Sequence, residues 1–311
     1  MRHLIAAAAA LFATFAHAAD TWYPSEFGPH DTLGAVNRLS PAGVLAATKL
    51  VTAGKVYRLG VESGPTSPAY PPRDYKITIL QLEDGTGTPW GSNLLSSNDD
   101  LLHTWVGVGS QLDGLGHIGI NHVYYNGIHA KDFVKVTGLT KFSTSDVPPI
   151  VTRGVVLDMV ASMGNGQAML APGTAINREQ IKAAAKAQNT AINRGDVVIL
   201  HTGWLAMSGK DAKKFMQGEP GLGVDGAKYL AKRGVVAVGA DTWGVEAVPH
   251  EVKGTAFPVH QELLPKNGIY ILENMDTREL IKDKAYEFLF VLGQPRFVGS
   301  VQAIINPVAI R

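Results

Sequence analysis

From about residue 155 onward the chain alternates short apolar runs with helical segments. That alternation limits the folds open to it more than any other feature. Val155 to Val160, which contains Asp158, reads as an apolar strand, and Asn177 to Gln188 has helical composition. Gly195-Asp196 turns into Val197 to His201, a buried strand leading to Thr202-Gly203-Trp204. A helix over Asp225 to Lys232 stops at Gly234, and a strand over Val235 to Gly239 follows, with Asp241 at its end. Val259 to Leu264 reads as a short helix stopped before Gly268, and Ile269 to Leu272 as a strand ending in Glu273-Asn274. Further strands are expected at Glu287 to Leu292, Arg296 to Ser300 and Val301 to Ile305. Strands and helices in turn predict an α/β layered fold. Neither an internal repeat nor a clear linker interrupts it, so one domain is expected.

The first half is less regular. Residues 1–18 have the form of a secretory signal: Arg2, an apolar run from Leu4 to Phe15, then Ala16-His17-Ala18. The run is shorter than the roughly 20 apolar residues that a membrane span needs, so residues 19–311 are expected as a periplasmic or secreted domain. Ala19 to Asn37 reads as an irregular arm. Ser40 can cap a helix that starts at Pro41 and runs to Val51. Lys55 to Leu59 reads as a strand and Gly64 to Arg73 as Pro-rich loop. Lys76 to Leu82 alternates as a half-buried strand does, and Glu83 to Asp100 is polar loop.

Charge and cysteine content narrow the function. The chain has 28 basic and 27 acidic residues, and without Arg2 the two balance, with no basic stripe, so nucleic acid is not an expected partner. With no cysteine, disulfides, thiol nucleophiles and thiolate metal ligands are excluded. Any metal must be held by His, carboxylate or amide oxygen.

The chemistry concentrates at residues 107–117, Gly-Val-Gly-Ser-Gln-Leu-Asp-Gly-Leu-Gly-His, where four glycines surround Gln111, Asp113 and His117. A glycine-rich loop carrying such side chains is a common place for a site. Downstream, His201, Asp241 and Glu273 all stand at strand ends, where open α/β sheets bind ligands, so these ends are expected to face one crevice. His103, His122 and His129 lie near the centre, and Trp105, Tyr124 and Tyr125 suit either an aryl ligand or the core. Gly114, Gly116 and Gly119 match a dinucleotide fingerprint, but the sequence that follows is poor helix material, so no nucleotide site is expected.

The 107–117 stretch resembles the signature of the metal-dependent cyclase family, which includes kynurenine formamidases and isatin hydrolases. Its pattern is His-x-Gly-Thr-His-x-Asp-x-Pro-x-His. Gly109, Asp113 and His117 match and Ser110 nearly matches, whereas Gly107, Gln111 and Leu115 stand where the pattern has His, His and Pro. The version Gln-Leu-Asp-Gly-Leu-Gly-His looks like a divergent subgroup. Gly154-Val155-Val156-Leu157-Asp158, the 195–204 segment, and His260 with Glu273-Asn274 resemble other family segments. The resemblance implies a swivelling β/β/α cyclase-like domain and a divalent metal. It also implies hydrolysis of a C–N or C–O bond in a cyclic or aryl-linked amide, ester or lactone, as in an arylformamidase.

Carried onto this chain, the metal set is Asp113, His117, His260 and Glu273, with Gln111 as a weaker oxygen donor. This set suits one ion, and having fewer nitrogen donors shifts it from zinc toward manganese. His117 is the expected general base, and Glu273 takes that role if His117 is itself a ligand. A small-molecule substrate and a homo-oligomer are expected, without nucleic acid or membrane. The rival reading is a periplasmic binding protein that kept the fold and lost catalysis, motivated by the two replaced histidines.

Overall fold

The structure, a computed structural model, describes residues 22–67, 69–81 and 84–311. The expected signal at residues 1–18 lies outside the described residues. Four parallel strands form the centre: Ile150–Asp158, Val197–His201, Ala237–Ala240 and Tyr270–Glu273, adjacent in that order. Nearly all of their residues are buried. Continuous Val, Ile and Leu runs are what strands covered on both faces require. Antiparallel strands extend the sheet on each side. Glu287–Leu292, Val308–Ile310 and Val56–Arg58 follow beyond Ile150–Asp158, and Gln111–Asp113 and Gln302–Ile304 follow beyond Tyr270–Glu273.

The sheet must curl. Gln302–Ile304 lies at one edge, and Val308–Ile310 lies next to the opposite edge. Only Ile305, Asn306 and Pro307 connect them, and four residue steps reach at most roughly 14 Å. The Leu59 N–H donates to the Pro307 carbonyl at 2.9 Å, and the Ile305 N–H to Ser110 O at 2.9 Å, tying the returning chain to both sides.

Helices Arg178–Ala187, Val224–Arg233 and Pro258–Asn267 pack in succession. The first two bury Ile181 and Ala184, and Ala227 and Leu230, at the helical spacing that makes an apolar stripe. Val224–Arg233 ends where Gly234 takes φ 75°, a left-handed conformation natural to glycine. The expected helices and most expected strands stand within a few residues of their positions. The helix expected from Pro41 to Val51 spans Pro41–Thr48, with the Ser40 Oγ accepting the Gly43 N–H at 3.1 Å.

Three expectations change. Residues 111–113 are not loop but a buried sheet strand. Residues 296–300 form no strand. Tyr75–Gln81 is a strand, but its partner, Asn98–Thr104, begins inside the expected loop, and the two form a separate two-stranded sheet. Instead of burying one face, this hairpin leaves Ile77, Ile79, Leu101 and Leu102 exposed. Alternation buries one face only where another layer covers it, and this sheet is its own layer. Among the described residues no helix is long and apolar enough to cross a membrane.

Candidate metal centre

Ladder geometry aims the upstream residues. Gln111 and Asp113, two apart on one strand, share a face, while Leu112 between them points into the core. Across the ladder Glu273 sits opposite Gln111, and Gln302 opposite Asp113. Gln302 Nε2 donates to Asp113 Oδ1 at 2.7 Å. Gln111 Nε2 donates to Asp113 Oδ1 at 3.3 Å and also to Glu273 Oε2. The Gln111 amide thus turns its N–H groups to the carboxylates and its Oε1 to Arg73, at 3.5 Å. In this orientation Gln111 braces the acids and does not present an oxygen donor between them.

Two histidines complete the cluster. After the strand, a turn closed by the His117 N–H on Gly114 O at 3.0 Å returns His117, placing its Nε2 3.8 Å from Asp113 Oδ2. His260 lies in the first turn of Pro258–Asn267, with Nε2 3.4 Å from Asp113 Oδ2 and 3.2 Å from Glu273 Oε1. The donor atoms of Asp113, His117 and His260 lie within 4.8 Å of one another. Asp113 Oδ2 is buried and has no hydrogen-bond partner among the described residues. A buried carboxylate oxygen without a partner is costly, and two imidazole nitrogens beside it make a donor set that fits a divalent cation.

Glu246 sets the direction of His260. Its Oε1 accepts from His260 Nδ1 at 2.5 Å, and its carboxylate also accepts the Val259 and His260 N–H groups at 3.0 and 3.1 Å. The acid therefore caps the helix start and fixes the imidazole with Nε2 facing Asp113. Such a carboxylate partner is the usual orienting group of a metal-binding histidine.

Burial and charge set the protonation states. Burial opposes charge on His260, but Asp113, Glu246 and Glu273 outweigh it and lift its pKa well above the ordinary range. Burial alone would raise Asp113; His117 and His260 overcome it and hold the carboxyl below its usual value. Burial also holds His117 below its usual value, helped by His260 and Arg73 against Asp113. Glu273 is pushed up to about 7, first by burial and then by the Asp113 charge.

These residues open into a cavity of about 190 Å³ lined by Tyr70, Arg73, His117, Trp243, Phe257 and Glu273, among others. A larger cleft of about 640 Å³, lined by Arg58, Glu62 and Arg278, lies away from the cluster. The cavity wall at Gly244 is held by Glu219, which is fully buried and accepts the Gly244 N–H at 2.9 Å. Burial pushes the Glu219 carboxyl well up.

The other strand-end residues do not join. Pairing of Gly239 with Leu272 and Ala240 with Leu200 puts Glu273 level with Ala240, one residue before Asp241 and His201. Successive residues point to opposite faces. His201 Nδ1 accordingly meets Thr277 Oγ1 at 2.7 Å and Asp241 Oδ2 at 3.3 Å on the far side. His103 stands on the exposed hairpin, and His122 stacks on His129 with centroids 6.0 Å apart. Tyr124 packs edge-on against Phe133, and Tyr125 is buried with its hydroxyl on Asp31, so both belong to the core. No helix opens directly after Gly119, where residues 120–124 form a bridge and a turn. Reading the sequence missed Arg73, Glu246, Gln302 and the aromatic wall of Tyr70, Trp243 and Phe257. None belongs to a local motif; each arrives by long-range packing.

The chain is similar to known proteins in sequence family and in fold. The family model Cyclase, described as "Putative cyclase", matches residues 44–247. No curated protein sequence matches the chain. A crystal structure described as a novel cyclase is similar at TM-score 0.82 and 28% identity, covering 92% of this chain and 96% of that one. Isatin hydrolase A from Ralstonia solanacearum is similar at TM-score 0.62 and 17% identity, over 87% and 97%. A predicted metal-dependent hydrolase from Bacillus stearothermophilus is similar at 0.53 and 18%, over 82% and 97%. At these last two identities the likeness is one of fold. With its model spanning most of the chain, including the 107–117 stretch, the chain belongs to the cyclase family.

Proposed function

We propose that this protein is a hydrolase that uses one divalent ion, manganese or zinc, to cleave a C–N or C–O bond in a cyclic or aryl-linked amide, ester or lactone. The observation that carries the reading is the partnerless, buried Oδ2 of Asp113 facing His117 and His260. Asp113, His117 and His260 would hold the ion, which when bound polarises a carbonyl and makes water more acidic. Asp113 is kept ionised by the imidazoles and by the Gln302 N–H. Glu246 holds the proton at His260 Nδ1, leaving Nε2 as the donor atom. Glu273 lies beside them on the cavity wall with a carboxyl that titrates near neutrality, so it accepts the proton of the attacking water and returns it to the leaving group. Tyr70, Trp243 and Phe257 limit the water that reaches the site and offer flat faces to a ring.

Export from the cytoplasm and assembly as a homo-oligomer belong to the same reading. They rest on residues 1–18 and on the family resemblance, and N-terminal sequencing and light scattering of the natural product test them.

The deciding experiment is elemental analysis of protein purified without chelator, beside Asp113→Ala. Near-stoichiometric manganese or zinc, lost in the variant, supports the reading and directs a screen of formamides, lactones and cyclic imides. No metal in either, and none taken up on addition, would overturn it in favour of a binding protein that lacks catalysis.

A further inference from the structure

The cavity holds one charged side chain that the metal centre does not use. Arg73 is half-buried on the wall shared by Tyr70, Trp243 and Phe257. Its Nη1 donates to Gly107 O at 2.9 Å and approaches Gln111 Oε1 at 3.5 Å. Neither acceptor is charged, and among the described residues no carboxylate pairs with this guanidinium and its Nε and Nη2 find no hydrogen-bond partner. A guanidinium carries five donors in a planar fork that matches a carboxylate.

The room for it comes from Gly107. A Cβ at that position would lie 2.5 Å from Arg73 Nη1 and 2.9 Å from Cζ. A histidine at 107, as the family pattern has it, and this placement of Arg73 therefore exclude one another. Where the pattern has a neutral imidazole, this chain has a fixed positive charge reaching in from residue 73. That charge lines the same cavity as the buried acid Glu273, whose own charge would otherwise repel an anion.

The neighbouring wall has the matching character. The Tyr70 and Trp243 rings lie 5.8 Å apart at 34°, and Trp243 Nε1 is a buried donor without a partner among the described residues. The volume of about 190 Å³ is below that of typical drug-sized sites and suits a single ring with small substituents.

We propose that Arg73, in the space left by Gly107, binds a carboxylate of the substrate, so that the preferred substrate is an aromatic or cyclic amide or ester bearing a carboxylate close to the scissile bond. The substrate class rests on the hydrolase reading; the binding of a carboxylate by Arg73 does not.

The test is calorimetric binding of benzoate and its neutral isostere benzamide to protein as purified, to Arg73→Met, to Gly107→Ala and to Asp113→Ala. The metal content and melting curve of each sample are recorded. Hydrogen bonds to a charged group predict that wild type prefers benzoate by about tenfold or more. That preference should vanish in Arg73→Met, fall in Gly107→Ala, where the added methyl displaces the guanidinium, and survive in Asp113→Ala. Absence of any preference in wild type, or a preference kept in folded Arg73→Met, overturns the proposal. So does a preference that disappears with Asp113→Ala and not with Arg73→Met, because it assigns the carboxylate to the ion. If Arg73→Met does not fold, Gly107→Ala decides: an unchanged preference overturns the proposal. Failure of the hydrolase reading is seen separately, as protein without metal whose benzoate preference still depends on Arg73.

Discussion

Glu246→Gln separates a metal-orienting acid from a mere helix cap. In the native protein the Glu246 carboxylate is buried and accepts three N–H groups: His260 Nδ1 at 2.5 Å, Val259 at 3.0 Å and His260 at 3.1 Å. Burial alone would raise its pKa, but His260 outweighs burial and holds the carboxyl below its usual value, so it is ionised at neutral pH. Glutamine keeps the shape but turns an NH2 group toward at least one donor and removes the charge that fixes Nδ1–H. A hydrogen bond to a charged acceptor contributes roughly 1.5–3 kcal/mol. Losing the orienting partner of a metal-binding histidine typically costs about 10–100-fold in metal affinity, or roughly 1.4–2.7 kcal/mol. The two estimates agree. Competition against a fluorescent chelator for manganese and zinc reads the affinity, and urea unfolding in EDTA reads the metal-free stability. The expected result is a loss of about 10–100-fold in affinity together with about 1–3 kcal/mol of stability. A stability loss of that size with metal affinity within about threefold of wild type would refute the reasoning, since it would leave Glu246 only the start of the Pro258–Asn267 helix to hold.

Two other outcomes follow from the same structure. Leu112→Ala, at a fully buried position between Gln111 and Asp113, should lower unfolding free energy by about 2–5 kcal/mol while leaving metal content near wild type, because Leu112 points away from the site. Urea melts and elemental analysis check both halves. For His201, burial lowers the pKa, but Asp241, Asp158 and Asp276 outweigh it and raise the value above that of the unfolded chain. A raised folded pKa stabilises fully below the unfolded pKa, and that contribution is lost as pH rises through the folded value. The stability gap between wild type and His201→Gln should therefore be wider at about pH 5.5 than at about pH 9 in paired urea melts, and an equal gap at both would contradict the assignment.

Some of the site was legible because its signal is local. Asp113 and His117 sit four apart in one glycine-rich stretch, so a single pattern carries both, and the structure brings them within 3.8 Å. His260 and Glu273 were found by resemblance to a downstream segment, and the two meet at 3.2 Å. Arg73, Glu246 and Gln302 carry no such signal. Gln302 reaches Asp113 across 189 residues of chain, through a strand pairing that no neighbouring residue announces. His201 and Asp241 show the opposite failure. Their position at strand ends was legible, but a one-residue offset in register turned them to the far face from Glu273.

Composition and periodicity are properties of neighbours along the chain, and they determined what depends on neighbours. The runs Val197–His201 and Glu287–Leu292 are strands as read, the Gly234 stop is a left-handed cap, and the alternation of strand and helix makes a layered α/β domain. Tertiary structure alone decided which face each strand shows, that the sheet curls until residues 304 and 308 span its two sides, and that the Tyr75–Gln81 hairpin stands exposed. It also decided that a guanidinium fills the space over Gly107. These depend on register and on contacts between distant segments. A shift of one residue reverses every side chain on a strand, and a single missing Cβ admits a charge from elsewhere in the chain.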